Sequence, residues 1–257
     1  MSARNQARET PAHVLITGAS SGIGAALAAA YAAPSVRLAL FGRDEDRLRA
    51  VAEGCRARGA LVAGILADVT DAEVMARAVT LVDDAYPLDL VIANAGVSGV
   101  ALAGPERIER LFAVNVLGVV HTVEPLLPRL VARGRGQIAL MSSLASFVNR
   151  PGTAAYCASK AAVRIWGEGL RQRLLPSGVE VSVICPGFVD TPLTRKNAFP
   201  MPMLMPAERS AELIRGRLAR GDARIAFPAA MYWGARLAGL FPAAWQHRLT
   251  ARFPGKE

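Results

Sequence analysis

His13-Val-Leu-Ile-Thr-Gly18-Ala-Ser-Ser-Gly22-Ile-Gly24 reads as a short apolar strand, a glycine turn and the start of a helix whose Ala-rich run reaches Ala33. Glycines let the backbone approach a ligand, and the free N–H groups of a helix N-terminus face an anion. Gly18 and Gly22 stand four apart and Gly22 and Gly24 two apart, a spacing that differs from G-x-G-x-x-G. Many strand–helix connections need glycine, so the turn by itself says little. With a strand before it and an Ala-rich helix after it, Gly18, Ser20, Ser21, Gly22, Ile23 and Gly24 form a candidate phosphate cradle.

Outward from that unit the chain keeps one rhythm. Apolar strands are expected near 13–17, 36–41, 61–66, 88–94, 137–141, 179–185 and 224–227. Helical patterns lie between them at 22–33, 44–58, 71–85, 106–133, 153–175 and 207–220. Such alternation predicts an α/β fold, a Rossmann-like doubly wound parallel sheet of about seven strands in one domain. Helices would cover both faces, so the strands read as continuously apolar. Ligands of these sheets bind beyond the carboxyl ends of the strands. The glycine turn, Asp68, Asn94, Ser143 and Pro186 each follow a strand, so they are expected around one crevice. No internal repeat or second domain is visible.

The second informative stretch is Tyr156-Cys-Ala-Ser-Lys160, set among Ala154, Ala155, Ala158, Ala161 and Ala162. A four-residue interval puts phenol and ammonium on one helix face. Lys is scarce here, only Lys160, Lys196 and Lys256. A cation beside a phenol favours the phenolate, which makes a general acid/base for an alcohol or carbonyl oxygen. Read alone, the pair is equally an amphipathic helix with a surface lysine.

Together these residues resemble the short-chain dehydrogenase/reductase family, whose motifs read TGxxxGxG and YxxxK. The resemblance runs from about His13 to about Pro192. Asp68-Val69, Asn94-Ala95-Gly96, Asn115, Ser142-Ser143 and Pro186-Gly187 follow in family order, and the interval of thirteen from Ser143 to Tyr156 is the family's usual one. The resemblance implies an NAD(P)-dependent oxidoreductase acting on the carbonyl or secondary alcohol of a small molecule. Tyr156 would exchange a proton with the substrate oxygen and Ser143 would hold that oxygen, with Ser142 the rival for the role. Lys160 would lower the tyrosine pKa and bind the nicotinamide ribose, and Asn115 would anchor a relay water. Asp68 would meet the adenine amino group, with Val69 beside it, and its plainer reading is a helix cap. Asn94, Ala95 and Gly96 would support the cofactor. Pro186, Gly187 and Val189 would border the nicotinamide, with Thr191 near its amide or the diphosphate. A non-catalytic NADP-binding regulator of the same fold is the alternative.

Cofactor choice turns on the end of the second strand. An NAD site usually carries a carboxylate there to accept from the ribose 2′-OH. Here Gly42 leaves room and the Arg43 guanidinium can bind a 2′-phosphate bidentately. Asp44 opposes this, but an N-cap role explains it. NADP is expected, NAD less so.

The formal charge of +9 comes from 30 basic and 21 acidic residues without aromatic interleaving, so no nucleic-acid partner is expected. Cys55, Cys157 and Cys185 are an odd set without metal spacing. They point to reduced thiols in the cytoplasm and no metal, with Cys157 a helix-packing residue. The leader from Met1 to Pro11 is polar and lacks a secretory core. After Thr191 the chain leaves the family pattern. Residues 188–210 would be a substrate lid, its Phe199-Pro-Met-Pro-Met-Leu-Met-Pro206 stretch suiting an apolar ligand or simple packing. Residues 221–257 form an apolar and basic extension. From Ile225 to Trp245 the only charge is Arg236, and Pro228, Pro242 and that arginine argue against a spanning helix. A cleft cover or homodimer contact is expected first, and a weak membrane-surface contact through Trp233, Leu237, Leu240, Phe241, Trp245 and the basic Arg224, Arg248 and Arg252 second.

Overall fold

Apolar strands that alternate with amphipathic helices pair as the pattern requires. The computed structural model describes residues 11–98, 106–148, 152–197 and 199–239. Within them β1 (His13–Thr17), β2 (Arg37–Gly42), β3 (Leu61–Leu66), β4 (Leu90–Ala93), β5 (Gln137–Met141), β6 (Glu180–Pro186) and β9 (Arg224–Phe227) form one sheet in the order 3-2-1-4-5-6-9. Every pairing is parallel. The order reverses direction between β1 and β4, which opens a crevice at their carboxyl ends.

Successive side chains on a strand point to opposite faces, and the core divides accordingly. Val14, Ile16, Leu38, Leu40 and Ile92 face one layer, made by α1 (Gly22–Tyr31), α2 (Glu45–Arg56) and α8 (Ala207–Ala219). Leu15, Ala39, Phe41, Val91 and Ile138 face the other, made by α3 (Ala72–Ala85), α4 (Arg107–Phe112), α5 (Gly118–Val123), α6 (Leu127–Arg133) and α7 (Ala154–Leu174). Capping fixes two helix starts. Asp44 accepts from the Arg47 amide and Asp71 from the Val74 amide, each at 3.0 Å.

Two expectations need correction. The helix expected over 106–133 is not continuous, because a π turn at Ala113–Leu117 separates α4 from α5, and a 3₁₀ turn at Glu124–Leu126 carries Pro125 before α6. A proline lacks the amide that the ladder needs. Arg107–Arg133 is apolar enough by length and composition to cross a membrane. Here, however, Leu111, Val119, Val123, Leu126 and Leu130 are buried within the protein. Strand β3 is not covered on both faces. It is the sheet edge, and Leu61 and Leu66 are about half exposed.

The lid region folds back through a small parallel pair, β7 (Val189–Asp190) with β8 (Met205–Pro206). Of its methionines, Met205 packs against the core and Met203 is exposed. The beginning of the extension forms β9 and then α9 (Ala229–Ala238). Met231 and Tyr232 turn inward onto Leu144, Val183 and Cys185, while Trp233 and Leu237 face out. The part of the tail reading that rests on Leu240, Phe241, Trp245, Arg248 and Arg252 lies outside the described residues.

Candidate active site

Strand ends build the site. Beyond β1 the chain turns at Gly18, whose φ of +66° is left-handed and favours glycine. A Cβ there would stand 2.8 Å from the Ala95 Cα. Gly24 lets α1 press against this turn, since its Cβ would fall 2.2 Å from the Gly18 carbonyl oxygen. Asn94, at the end of β4, donates from Nδ2 to the Thr17 and Gly18 carbonyls at 2.9 and 3.3 Å, and its backbone amide donates to the Thr17 hydroxyl at 3.1 Å. Asn94 through these hydrogen bonds and Gly24 through its missing Cβ thus hold the turn in place. We expect Gly24→Ala to push α1 away from the turn, costing about 1–3 kcal/mol as overpacking does. A lower melting temperature and weaker nucleotide binding would register it, and unchanged values for both would contradict this packing.

The crevice bordered by the turn has a volume of about 540 Å³, within the ~300–1,000 Å³ typical of small-molecule sites. Gly18, Ser20, Ser21, Gly22, Ile23, Arg43, Asp68, Val69, Asn94, Ala95, Gly96, Ser143, Tyr156, Lys160, Pro186, Gly187, Val189 and Thr191 all line it. Of the sequence-derived candidates only Gly24 and Asn115 stand behind the wall. Arg47 also lines it and escaped the sequence reading; its place one helical turn beyond Arg43, on α2, was the available signal.

At the β2 end of the crevice, Asp68 is not the cap of α3, a role taken by Asp71. One Asp68 oxygen accepts from the Thr70 amide and hydroxyl at 3.0 and 2.9 Å, and the other from Arg43 at 3.2 Å. Burial pushes this carboxyl up, but the Thr70 and Arg43 hydrogen bonds outweigh it and hold the pKa below the ordinary value. Asp44 is occupied as the α2 cap and paired with Arg47 at 2.9 Å. The two arginines beside Gly42 are thus each paired with an aspartate, Arg43 with Asp68 and Arg47 with Asp44.

At the other end, Ser143 and Tyr156 are hydrogen-bonded through their side chains. The Ser143 Oγ also donates to the Pro186 carbonyl at 3.4 Å and accepts from the Ala145 amide at 3.1 Å. Lys160 is buried, its Nζ donating to the Met141 carbonyl at 3.0 Å and standing 5.9 Å from the Tyr156 ring centre. Burial pushes the Lys160 pKa down to about 8. Burial likewise pushes the Tyr156 phenol up to about 12, against the opposing Ser143 hydrogen bond. The expectation that Lys160 lowers the phenol pKa is thus not met in this structure: the ammonium is turned to Met141, and desolvation is the larger effect.

Asn115 is fully buried in the π turn, where the Gly118 amide bonds the Ala113 carbonyl. Such turns occur often at functional sites. Its Oδ1 accepts from the Val97 amide at 2.8 Å, and its Nδ2 donates to the Val97 carbonyl and the Ser159 hydroxyl at 3.0 and 3.1 Å. The side chain is engaged in fixing the Val97 loop against α7 through these three hydrogen bonds.

A parallel sheet in this order, a glycine turn over its switch point, and a Ser–Tyr–Lys group at the other end of the crevice define a nucleotide-dependent dehydrogenase site. The family model for short chain dehydrogenase matches residues 12–200, and the chain belongs to that family. An uncharacterized oxidoreductase of Myxococcus xanthus is 40% identical over 232 residues, covering 89% of this chain and 92% of its own. The 1-deoxy-11-beta-hydroxypentalenate dehydrogenase of Streptomyces exfoliatus is 40% identical over 189 residues, 70% of this chain and 68% of that one. Among solved structures, a short-chain dehydrogenase from Sphingobium yanoikuyae in complex with NADPH superposes with a TM-score of 0.78 at 30% identity, covering 90% of this chain and 97% of that one. One from Burkholderia phymatum in complex with NAD superposes at 0.79 with 26% identity, covering 88% and 92%.

Proposed function

We propose that this oxidoreductase moves a hydride between NADP(H) and the carbonyl or secondary alcohol of a small apolar molecule, with Tyr156 as general acid/base. The observation that carries this reading is the single crevice with two arginines at one end and the Ser143–Tyr156–Lys160 group at the other. NADP(H), when bound, supplies the hydride. Gly18, Ser20, Ser21, Gly22 and Ile23 would cradle its diphosphate with Thr191, and Val69, Ala95 and Gly96 would border the nucleotide. Lys160 would turn to the nicotinamide ribose, with Pro186, Gly187 and Val189 beside the ring.

Ser143 orients the substrate oxygen, because its hydroxyl is already fixed by Ala145 and Pro186. Tyr156 gives that oxygen a proton in reduction and takes one in oxidation. The phenol holds its proton at neutral pH, which is the state from which reduction starts. An apolar substrate is favoured by Met231, whose sulfur lies against Gly187. The pentalenate relative is named for a hydroxylated acid, which fits an alcohol as the reacting group. The inward face of α9 acts as a cover on the cleft side, and its outward Trp233 and Leu237 offer a homodimer contact. We place the protein in the reducing cytoplasm, as Cys55, Cys157 and Cys185 are all buried free thiols.

A screen of apolar ketones and secondary alcohols, followed by NADPH and NADH absorbance, tests the reaction. The cofactor assignment is tested separately by Arg43→Ala. Removing a charge-assisted contact should weaken NADPH binding about tenfold or more and leave NADH nearly unchanged. Equal losses for both, or tighter NADH binding by the wild type, would overturn the NADP assignment.

A further inference from the structure

The run Met141-Ser142-Ser143 leaves β5 and passes beneath α7. Ser143 reaches the Tyr156 hydroxyl, and the Met141 carbonyl takes the Lys160 ammonium. Between them Ser142 is 2% exposed, and its Oγ donates to the Lys160 backbone carbonyl at 2.8 Å. That carbonyl lies in the middle of a 21-residue helix, where the amide four residues on is its ordinary partner. A carbonyl has two lone pairs, so the serine adds a second bond rather than repairing a lost one. Lys160 is thereby held at both ends by consecutive residues of one strand end, Nζ by Met141 and C=O by Ser142. Ser142 is itself fixed, because its amide donates to the Ile184 carbonyl at 2.7 Å and its hydroxyl lies against the Cys185 thiol.

The helix has a second seat two turns further on. A Cβ on Gly167 would fall 2.6 Å from Leu140 and 2.8 Å from Val183, so α7 lies tight on β5 and β6 there. Packing sets the depth of the helix at Gly167, but apolar contacts resist sliding along the axis only weakly. A directional hydrogen bond at Lys160 does resist it.

We propose that Ser142 is a positioning residue: it fixes the backbone of α7 at Lys160 and so sets the Tyr156–Lys160 pair against Ser143 and the nucleotide crevice. The assignment rests on the proposed role of that pair. Ser142 borders the crevice too, but its hydroxyl is spent on the Lys160 carbonyl, which distinguishes it from Ser143.

The test measures NADPH binding by nicotinamide fluorescence from pH 6.5 to 10 in the full chain, with no substrate needed. Ser142→Ala should weaken NADPH about tenfold, the scale of a lost buried hydrogen bond with its small displacement, and move the pH at which affinity falls. Ser142→Thr, which keeps the hydroxyl, should restore both. Ser142→Cys keeps the volume and weakens the donor, so it should fall between, and it serves if the alanine variant does not fold. A purely structural hydroxyl would lower the melting temperature while leaving affinity and pH midpoint alone. That outcome in Ser142→Ala, or in Ser142→Cys where alanine fails, overturns the assignment. Lys160→Ala is measured alongside. If it binds NADPH as the wild type does, the reading of the pair falls and this assignment with it. If it loses NADPH while Ser142→Ala does not, only Ser142 has been misassigned.

Discussion

Tyr156→Phe should lower kcat by roughly 10²–10⁴-fold, the range for losing a general acid/base, while NADPH affinity stays within about twofold. The substitution removes one oxygen and leaves the ring, so the packing of α7 survives. Ser143 loses its phenol partner but keeps the Ala145 amide and the Pro186 carbonyl, so no buried hydroxyl is stranded at that position. A fall in kcat with KM for the cofactor unchanged is the signature of a group that acts only on the reacting oxygen. Steady-state rates on any substrate found in the screen check it. Turnover by Tyr156→Phe at the wild-type rate would remove Tyr156 from the chemistry, whatever the fold.

The parts of this protein that sequence made legible are those where one local rule dominates. The glycine turn was readable because a left-handed Gly18 and a close-packed Gly24 admit little else, and the seven strands because each is a short apolar run between helix patterns. The Tyr156–Lys160 interval follows from helical geometry alone. What was not readable depends on partners distant in sequence. A continuous helical pattern hid the π turn at Asn115, since that register shift shows up only in the Val97 and Ser159 contacts. An apolar run cannot say whether it is central or at an edge, so β3 was read as covered. The Tyr156 and Lys160 pKa values hinge on where the ammonium points, and it points to Met141 on another strand. Ser142 and Ser143 look interchangeable in the chain, and only the turn after β5 sends one to Lys160 and the other to Tyr156.

Asp83 is the largest structural case of the same kind, an unremarked acid near the end of α3 whose side chain is 1% exposed. Its oxygens accept from Arg133 at 2.8 and 2.7 Å, from the Leu88 amide at 2.9 Å and from Arg129 at 3.4 Å. It therefore ties α3 to α6 and to the chain entering β4. Asp83→Ala should cost about 3 kcal/mol or more, because it leaves a partly buried Arg133 and a buried amide without their acceptor. Burial alone would raise the Asp83 pKa, but the Arg133 and Leu88 hydrogen bonds outweigh it and the pKa is lowered. The sign of the pH dependence follows. A carboxyl whose folded pKa is depressed stabilises fully above its unfolded pKa of about 4 and loses that contribution as pH falls through the folded value. Urea unfolding of wild type and Asp83→Ala should thus differ most at neutral pH, and the gap should narrow below about pH 4. A gap that is the same at pH 3 and pH 7 would mean that lost packing, not the ion pair, sets the cost.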